Sequence, residues 1–229
     1  MACDITQTLG IFGATTARSV PHILEKIFLY LDYSSYKKCL EVHSTWRELL
    51  TSTTFLKKSK ELFNQEIWEE ETKLWHASII GSASKVQSLI TPLVDVNCTR
   101  GNVDDTPLLL ACTFGNKAVV QILLDWGANP MTRNKFGVTP LHNAAKNRDK
   151  NVIKMLLEAG ADPTPADNFG NTPLHYAATR KSKYVVKVLL DGGADPNKKN
   201  NIGQTPLNAA VRCKFKDNVR VLLDGGARR

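Results

Sequence analysis

One tetrapeptide, Thr-Pro-Leu-His, returns along this chain at a fixed interval, and that interval constrains the fold more than any other feature. It is complete at Thr139-Pro140-Leu141-His142 and at Thr172-Pro173-Leu174-His175. Altered copies stand at Thr106-Pro107-Leu108-Leu109 and Thr205-Pro206-Leu207-Asn208. The differences 139 − 106, 172 − 139 and 205 − 172 are each 33. Gly127, Gly160, Gly193 and Gly226 keep the same beat, each closing a Leu-Leu-x-x-Gly run. Self-similarity at this period means one supersecondary unit stacked on copies of itself.

Each unit can be read from its parts. Thr accepts a hydrogen bond at a helix N-cap, and Pro suits the first helical position, where no amide donor is needed. Small residues follow, as at Ala144-Ala145 and Ala177-Ala178, so neighbouring helices can approach closely. A second helix carries an apolar face, as in Val152, Ile153, Leu156 and Leu157. Gly160 suits a left-handed helix end, and Asp162-Pro163, like Asp195-Pro196, starts a turn toward the next unit. An ordinary helical bundle would not keep two punctuation marks in phase over four copies. In type and spacing these residues resemble the ankyrin repeat, which implies a helix–turn–helix unit joined to its neighbour by a hairpin loop.

The chain of 229 residues has 42% hydrophobic residues, enough for a substantial core, and a net charge of +8. Residues 1–99 hold 10 Lys+Arg and 11 Asp+Glu (−1), while residues 100–229 hold 20 and 11 (+9). The repeats therefore carry the whole excess, a field that favours an acidic partner. Cys3, Cys39, Cys98, Cys112 and Cys213 form no Cys-x-x-Cys pair, and such a scattered, odd set reads as small core residues in a reduced compartment. Ile5–Ala17 is too short and too polar for a membrane span. A cytoplasmic or nuclear protein without membrane contact is expected.

In chain order, residues 1–18 lack periodicity and read as a loose tail. Over 19–54, Pro21 is followed by Ile23, Leu24, Ile27, Phe28 and Leu31, which make one apolar helical face. A second segment runs through Cys39 and Val42, and a third holds Trp46 and Leu49. The run Val20-Pro21-His22-Ile23-Leu24 and the spacing Val42-x-x-x-Trp46-Arg47-Glu48-Leu49 resemble the F-box. The resemblance implies three helices that dock on the Skp-type adaptor of a cullin–RING ubiquitin ligase through Pro21, Ile23, Leu24, Ile27, Phe28, Leu31, Val42, Trp46 and Leu49. It departs from the family where Val-Pro replaces the displaced Leu-Pro opening, where His22 follows, and at His43. The other reading of these helices is a cap over the apolar end of the array. Residues 55–71 read as a helical connector, with Phe55, Leu62, Phe63 and Ile67 near helical spacing. Five repeats follow over 72–229, divided as 72–105, 106–138, 139–171, 172–204 and 205–229. The whole is an all-α chain: a three-helix F-box, then an ankyrin-repeat solenoid.

No nucleophile elbow, phosphate loop or zinc-spaced Cys/His set occurs, so no catalytic or metal-binding residues and no cofactor are expected. In the ankyrin pattern His142 and His175 serve hydrogen bonds between repeats, and the hairpin tips and first helices line one concave face. Its target-binding candidates are Phe114, Lys135, Phe136, Lys146, Asn168, Phe169, Arg180, Ile202, Gln204 and Arg212. The alternative for Phe136, Phe169 and Ile202 is that they only brace the hairpins. A second set stacks in register on one edge: Arg148, Lys181 and Lys214, then Lys150, Lys183 and Lys216, with Lys154, Lys187 and Arg220 behind. This basic edge is either solvated or a docking site. Arg148, Lys181 and Lys214 stand where Gly81 and Gly115 end the first helices of earlier repeats, so all three are expected at a left-handed helix end.

Together these readings give a non-catalytic substrate receptor of an SCF-type ligase, monomeric apart from that complex, whose array holds an acidic target. The rival is an ankyrin scaffold with a helical cap and no ligase role. Nucleic-acid binding fits less well, because the basic residues lack the interleaved aromatics on which single strands stack.

Overall fold

A computed structural model describes residues 64–228. The expected tail, the F-box-like segment 19–54 and the first part of the connector lie outside the described residues. The chain divides into two units, one comprising Met1–Glu70 with Thr91–Val94, the other Glu71–Ile90 with Asp95–Arg229. In the first, Ile67, Leu93 and Val94 are buried, and the Val94 N–H closes a turn onto the Thr91 carbonyl at 3.1 Å.

The described residues form ten helices: α1 (Asn64–Ile80), α2 (Ala83–Leu89), α3 (Pro107–Phe114), α4 (Lys117–Asp125), α5 (Pro140–Asn147), α6 (Lys150–Glu158), α7 (Pro173–Ala178), α8 (Lys183–Asp191), α9 (Pro206–Arg212) and α10 (Lys216–Asp224). Among these residues the sole extended pairing is an isolated bridge between Arg100 and Asp105. Helix α1 runs through Thr72 without a break, so connector and first repeat share one helix. In the second unit the helices stack in two layers. Helices α3, α5, α7 and α9 follow one another in the first layer, and α2, α4, α6, α8 and α10 in the second.

Residue size explains this stacking. Leu108, Leu141, Leu174 and Leu207 are buried one above another, each contributing roughly 2 kcal/mol by leaving water. Beside them Ala111, Ala144, Ala145, Ala177, Ala178, Ala209 and Ala210 are buried as well, which lets the first-layer helices pack closely. The second layer buries Val119, Val120 and Leu123, then Val152, Ile153 and Leu156, then Val185, Val186 and Leu189. Gly127, Gly160, Gly193 and Gly226 all adopt the left-handed conformation, with φ from +80° to +94°. A side chain there would be strained, which is why glycine marks every one of these ends.

The first-layer helices end less uniformly. Gly115 (φ +72°), Arg148 (φ +62°) and Lys214 (φ +58°) are left-handed as expected, but Lys181 is not. The surroundings of this helix end differ as well. Asn218 stands 13 residues after its Thr, in register with Val152 and Val185, and it is buried. A buried amide needs partners. Helix α7 stops early, at Ala178, and the Asn218 Nδ2 group donates toward the carbonyls of Ala177, Ala178 and Arg180 at 3.4, 3.2 and 2.7 Å. The chain beyond Ala178 reaches α8 without a left-handed residue.

A non-glycine side chain at left-handed φ costs about 1–2 kcal/mol, and glycine gives back 0.5–1 kcal/mol through unfolded-state entropy. Arg148→Gly should therefore stabilise the protein by up to about 1 kcal/mol, whereas Lys181→Gly should give no gain. Urea unfolding of the two variants checks this, and equal gains would contradict the assignment of the two helix ends.

Candidate interaction surface

The repeat signature builds a cap before it builds a surface. In the repeats beginning at Thr139 and Thr172, the threonine side chain accepts from the third helical backbone N–H, and the histidine answers. The Thr139 N–H donates to His142 Nδ1 at 3.1 Å, and His142 Nε2 lies 3.0 Å from the Asn171 carbonyl in the next hairpin. His175 repeats this with the Thr172 N–H (3.1 Å) and the Gln204 carbonyl (3.0 Å). A backbone N–H can only donate and a carbonyl can only accept. Both rings are therefore neutral, with the proton on Nε2. Each ring stitches its own helix start to the following repeat.

Burial pushes the His142 pKa down from 6.5 to about 4, partly opposed by its bond to the Asn171 carbonyl. His175 is shifted the same way, again chiefly by burial. With both nitrogens engaged, neither ring is available as a general base. Asn208 fills the same role in the last repeat, taking the Thr205 N–H on Oδ1 at 3.0 Å. Leu109 has no polar atom there, and Thr106 caps alone, accepting from the Leu109 N–H at 3.2 Å.

The hairpin loops are organised by residues that sequence reasoning passed over. Asn134, Asp167 and Asn200 stand five residues before their threonines. Asn134 Oδ1 accepts from the Phe136 and Val138 amides, Asp167 Oδ1 from Phe169 and Asn171, and Asn200 Oδ1 from Ile202 and Gln204. Side-chain chemistry then matches the neighbour. Asn134 and Asn200 donate Nδ2 to Asp105 and Asn171, each at 2.9 Å. Asp167 has nothing to donate, and the corresponding residue of the preceding repeat, Val138, has no side-chain acceptor. Asp167 instead accepts the Tyr176 hydroxyl at 2.7 Å. Burial first, then that hydrogen bond, raises the Tyr176 pKa. The regular five-residue offset was the signal that could have found these positions.

One residue further on, the hairpins are laced together. The amides of Lys135, Asn168 and Asn201 donate to the carbonyls of Val103, Phe136 and Phe169 at 3.0, 2.9 and 3.0 Å. Their side chains form a parallel ladder: Lys135 Nζ to the Asn102 carbonyl (2.9 Å), Asn168 Nδ2 to Lys135 (2.8 Å) and Asn201 Nδ2 to Asn168 (2.9 Å). Two of the target-binding candidates, Lys135 and Asn168, thus belong to this ladder, and Lys135 also pairs with Asp104 at 3.5 Å. Asn147, a further polar residue of this face, donates Nδ2 to the Cys112 carbonyl at 2.6 Å.

The apolar candidates remain uncovered. Phe136, Phe169 and Ile202 are 50%, 65% and 73% exposed at successive hairpin tips, and Phe114 is exposed at the end of α3. Hydrogen bonds from the backbone and from the Asn134, Asp167 and Asn200 side chains brace the hairpins. Arg212 is exposed at the end of α9, while the half-buried Gln204 offers its carbonyl to His175. On the basic edge, Lys150 and Lys183 lie 5.6 and 5.4 Å from the Tyr184 ring centroid, within cation–π range. Lys214 and Lys216 line a depression with Val219 and Leu223. Lys146 and Arg180 from the concave set share a single groove with Arg148 and Lys181 from the edge set. The two surfaces meet there.

Cys98 and Cys112 are buried, and burial pushes the Cys98 thiol up to about 12, so it is a core residue rather than a nucleophile. Among the described residues no three His, Cys, Asp or Glu side chains gather as a metal site, and no helix is long and apolar enough to cross a membrane.

Comparison with known proteins agrees with this geometry. The family described as Ankyrin repeats (3 copies) matches residues 74–167 and 163–228. Human oxysterol-binding protein-related protein 1 is 39% identical over 69 residues, a stretch covering 26% of this chain. The match spans only 7% of that relative's length.

Because the folded state resists protonating His142 while the unfolded chain does not, the stability tied to its neutral ring is complete above pH 6.5 and is lost as pH falls toward 4. His142 can contribute up to about 1.4 kcal/mol per pH unit in that window, and His175 acts in the same direction. The variant His142→Asn/His175→Asn, built on the precedent of Asn208, should be less stable than wild type at neutral pH by about 1–3 kcal/mol, through the lost carbonyl bonds. Thermal melts across the window should show that gap narrowing with acid, and a constant gap would contradict the neutral-ring assignment.

Proposed function

The chain belongs to the ankyrin-repeat family, and from that premise we propose that it is a non-catalytic substrate-recognition subunit of an SCF-type ubiquitin ligase. Ankyrin repeats are protein-interaction modules. The described residues agree with that role: both signature histidines are locked in structural bonds, while an apolar row stands open at the hairpin tips. The observation that carries the ligase half is the sequence Val42-x-x-x-Trp46-Arg47-Glu48-Leu49, behind the apolar stripe Ile23, Leu24, Ile27, Phe28 and Leu31. Such a segment joined to an interaction array suits a receptor that holds an adaptor at one end and a target at the other.

The mechanism is proximity. A target held by the array is presented at high effective concentration to the conjugating enzyme that the ligase carries, and no reacting group is needed from this chain. Phe114, Phe136, Phe169 and Ile202 are the anchors for the target, since exposed large apolar side chains among polar neighbours can be fully desolvated at the centre of a protein interface. Arg180 and Arg212 flank them.

Co-purification of the full chain with a Skp-type adaptor tests both halves. Wild type should retain the adaptor and a specific set of captured proteins. Ile27→Ala/Trp46→Ala should lose the adaptor and keep the captured proteins. Phe136→Ala/Phe169→Ala should keep the adaptor and weaken capture by about tenfold or more. If the Trp46 variant still holds the adaptor at wild-type level, or wild type holds none, the chain is an ankyrin scaffold without a ligase role.

A further inference from the structure

A groove of roughly 400 Å3 opens between the ends of two successive first-layer helices, α5 and α7. Its walls include Lys146, Arg148, Arg180 and Lys181, with Asn147 and Phe215 between them. No carboxylate lines it. The nearest acidic residue in sequence, Asp149, turns Oδ1 onto the amides of Asn151 and Val152 at 2.9 and 3.1 Å, capping α6. Among the described residues the ion pairs join Arg100 to Glu71 and Lys135 to Asp104, so none of the four groove cations has a carboxylate partner.

Four like charges gathered in one groove are an unfavourable arrangement. At physiological ionic strength the screening length is about 8 Å, so cations sharing a groove repel one another. Arg148 adds backbone strain, since it holds φ +62° where Gly81 and Gly115 stand in earlier repeats. Neither packing nor internal pairing explains keeping an arginine there. An anion in the groove relieves the repulsion and uses the fork geometry of two guanidinium groups, which fits phosphate and carboxylate.

We propose that this groove binds an acidic segment of the protein that the array holds, through a phosphate or carboxylate side chain seated among Lys146, Arg148, Arg180 and Lys181. The proposal rests on the array being a protein-binding module. Its size suits one or two anionic side chains. A nucleic-acid strand would need a longer basic track with several stacking aromatics, and this groove has one, the half-buried Phe215. The groove also joins the concave face to the basic edge, so a peptide lying across Phe136 and Phe169 has an electrostatic anchor within the same array.

Fluorescence anisotropy with the full chain tests the groove without any adaptor or ligase. The probes are a labelled peptide with a phosphoserine flanked by glutamates, its unphosphorylated form, and a labelled single-stranded oligonucleotide. The two peptides should bind, the phosphorylated one more tightly, and binding should fall as salt rises. Arg148→Glu/Arg180→Glu should weaken binding at least about tenfold. Lys154→Glu/Lys187→Glu makes the same change in net charge away from the groove and should weaken it less than about threefold. Arg148→Gly/Arg180→Gln, which suits the left-handed backbone and should melt no lower than wild type, should lose binding as well. Equal losses from both charge reversals, no binding of either peptide at low salt, or tighter binding of the oligonucleotide would overturn the proposal. Each of those results leaves the adaptor experiment to stand or fall separately.

Discussion

The ends of α1, α3 and α7 lie beside the following repeat, and their terminal carbonyls find donors there. This requirement governs the rest of the structure. An α-helix leaves four carbonyls unsatisfied at its C-terminal end, and burying them without partners costs about 1–3 kcal/mol each. The chain supplies an asparagine from the following repeat. Asn116 donates to the carbonyls of Ser78 and Ile79 at the end of α1, Asn147 to those of Cys112 and Thr113 at the end of α3, and Asn218 to those behind α7. At the other end of α5 and α7, the histidines join each helix start to the next hairpin. Each unit is thus completed by its neighbour, which is the physical sense in which such an array is one-dimensional.

That economy decides what is left for binding. Polar groups at the hairpins, including Lys135, Asn134, Asp167 and Asn168, are engaged in holding one repeat to the next. The uncommitted groups are apolar side chains at the tips and cations at the helix ends. Binding by such a surface combines desolvated anchors, which set residence time, with a charged groove that sets encounter rate and selectivity.

Much of this was legible in the sequence because it follows from local backbone chemistry. Threonine N-caps, proline at the first helical turn, left-handed glycines and the Asp162 and Asp195 turns are each dictated by one residue's own preferences, and they recur at a fixed offset. The asparagine caps were not legible, because Asn116, Asn147 and Asn218 stand 10, 8 and 13 residues after their respective threonines. A single chemical task is met from three registers, so no periodicity betrays it. Lys181 likewise departs from the row it belongs to by sequence: α7 ends at Ala178, beside Asn218 of the following repeat, and Lys181 is not left-handed. Sorting residues into rows also separated Lys146 and Arg180 from Arg148 and Lys181, although folding brings all four to one groove. The F-box resemblance concerns residues outside those described and rests on type and spacing alone.

The central claim is that each hairpin, shaped by the hydrogen bonds of its own turn, is held in place by the hairpin before it. Amide hydrogen exchange on the free protein tests it most directly at Lys135, Asn168 and Asn201, whose N–H groups donate to the preceding hairpin. Protection of all three, close to that of the first-layer helices, is the predicted result. Exchange of these amides at the rate of an open loop would contradict the account.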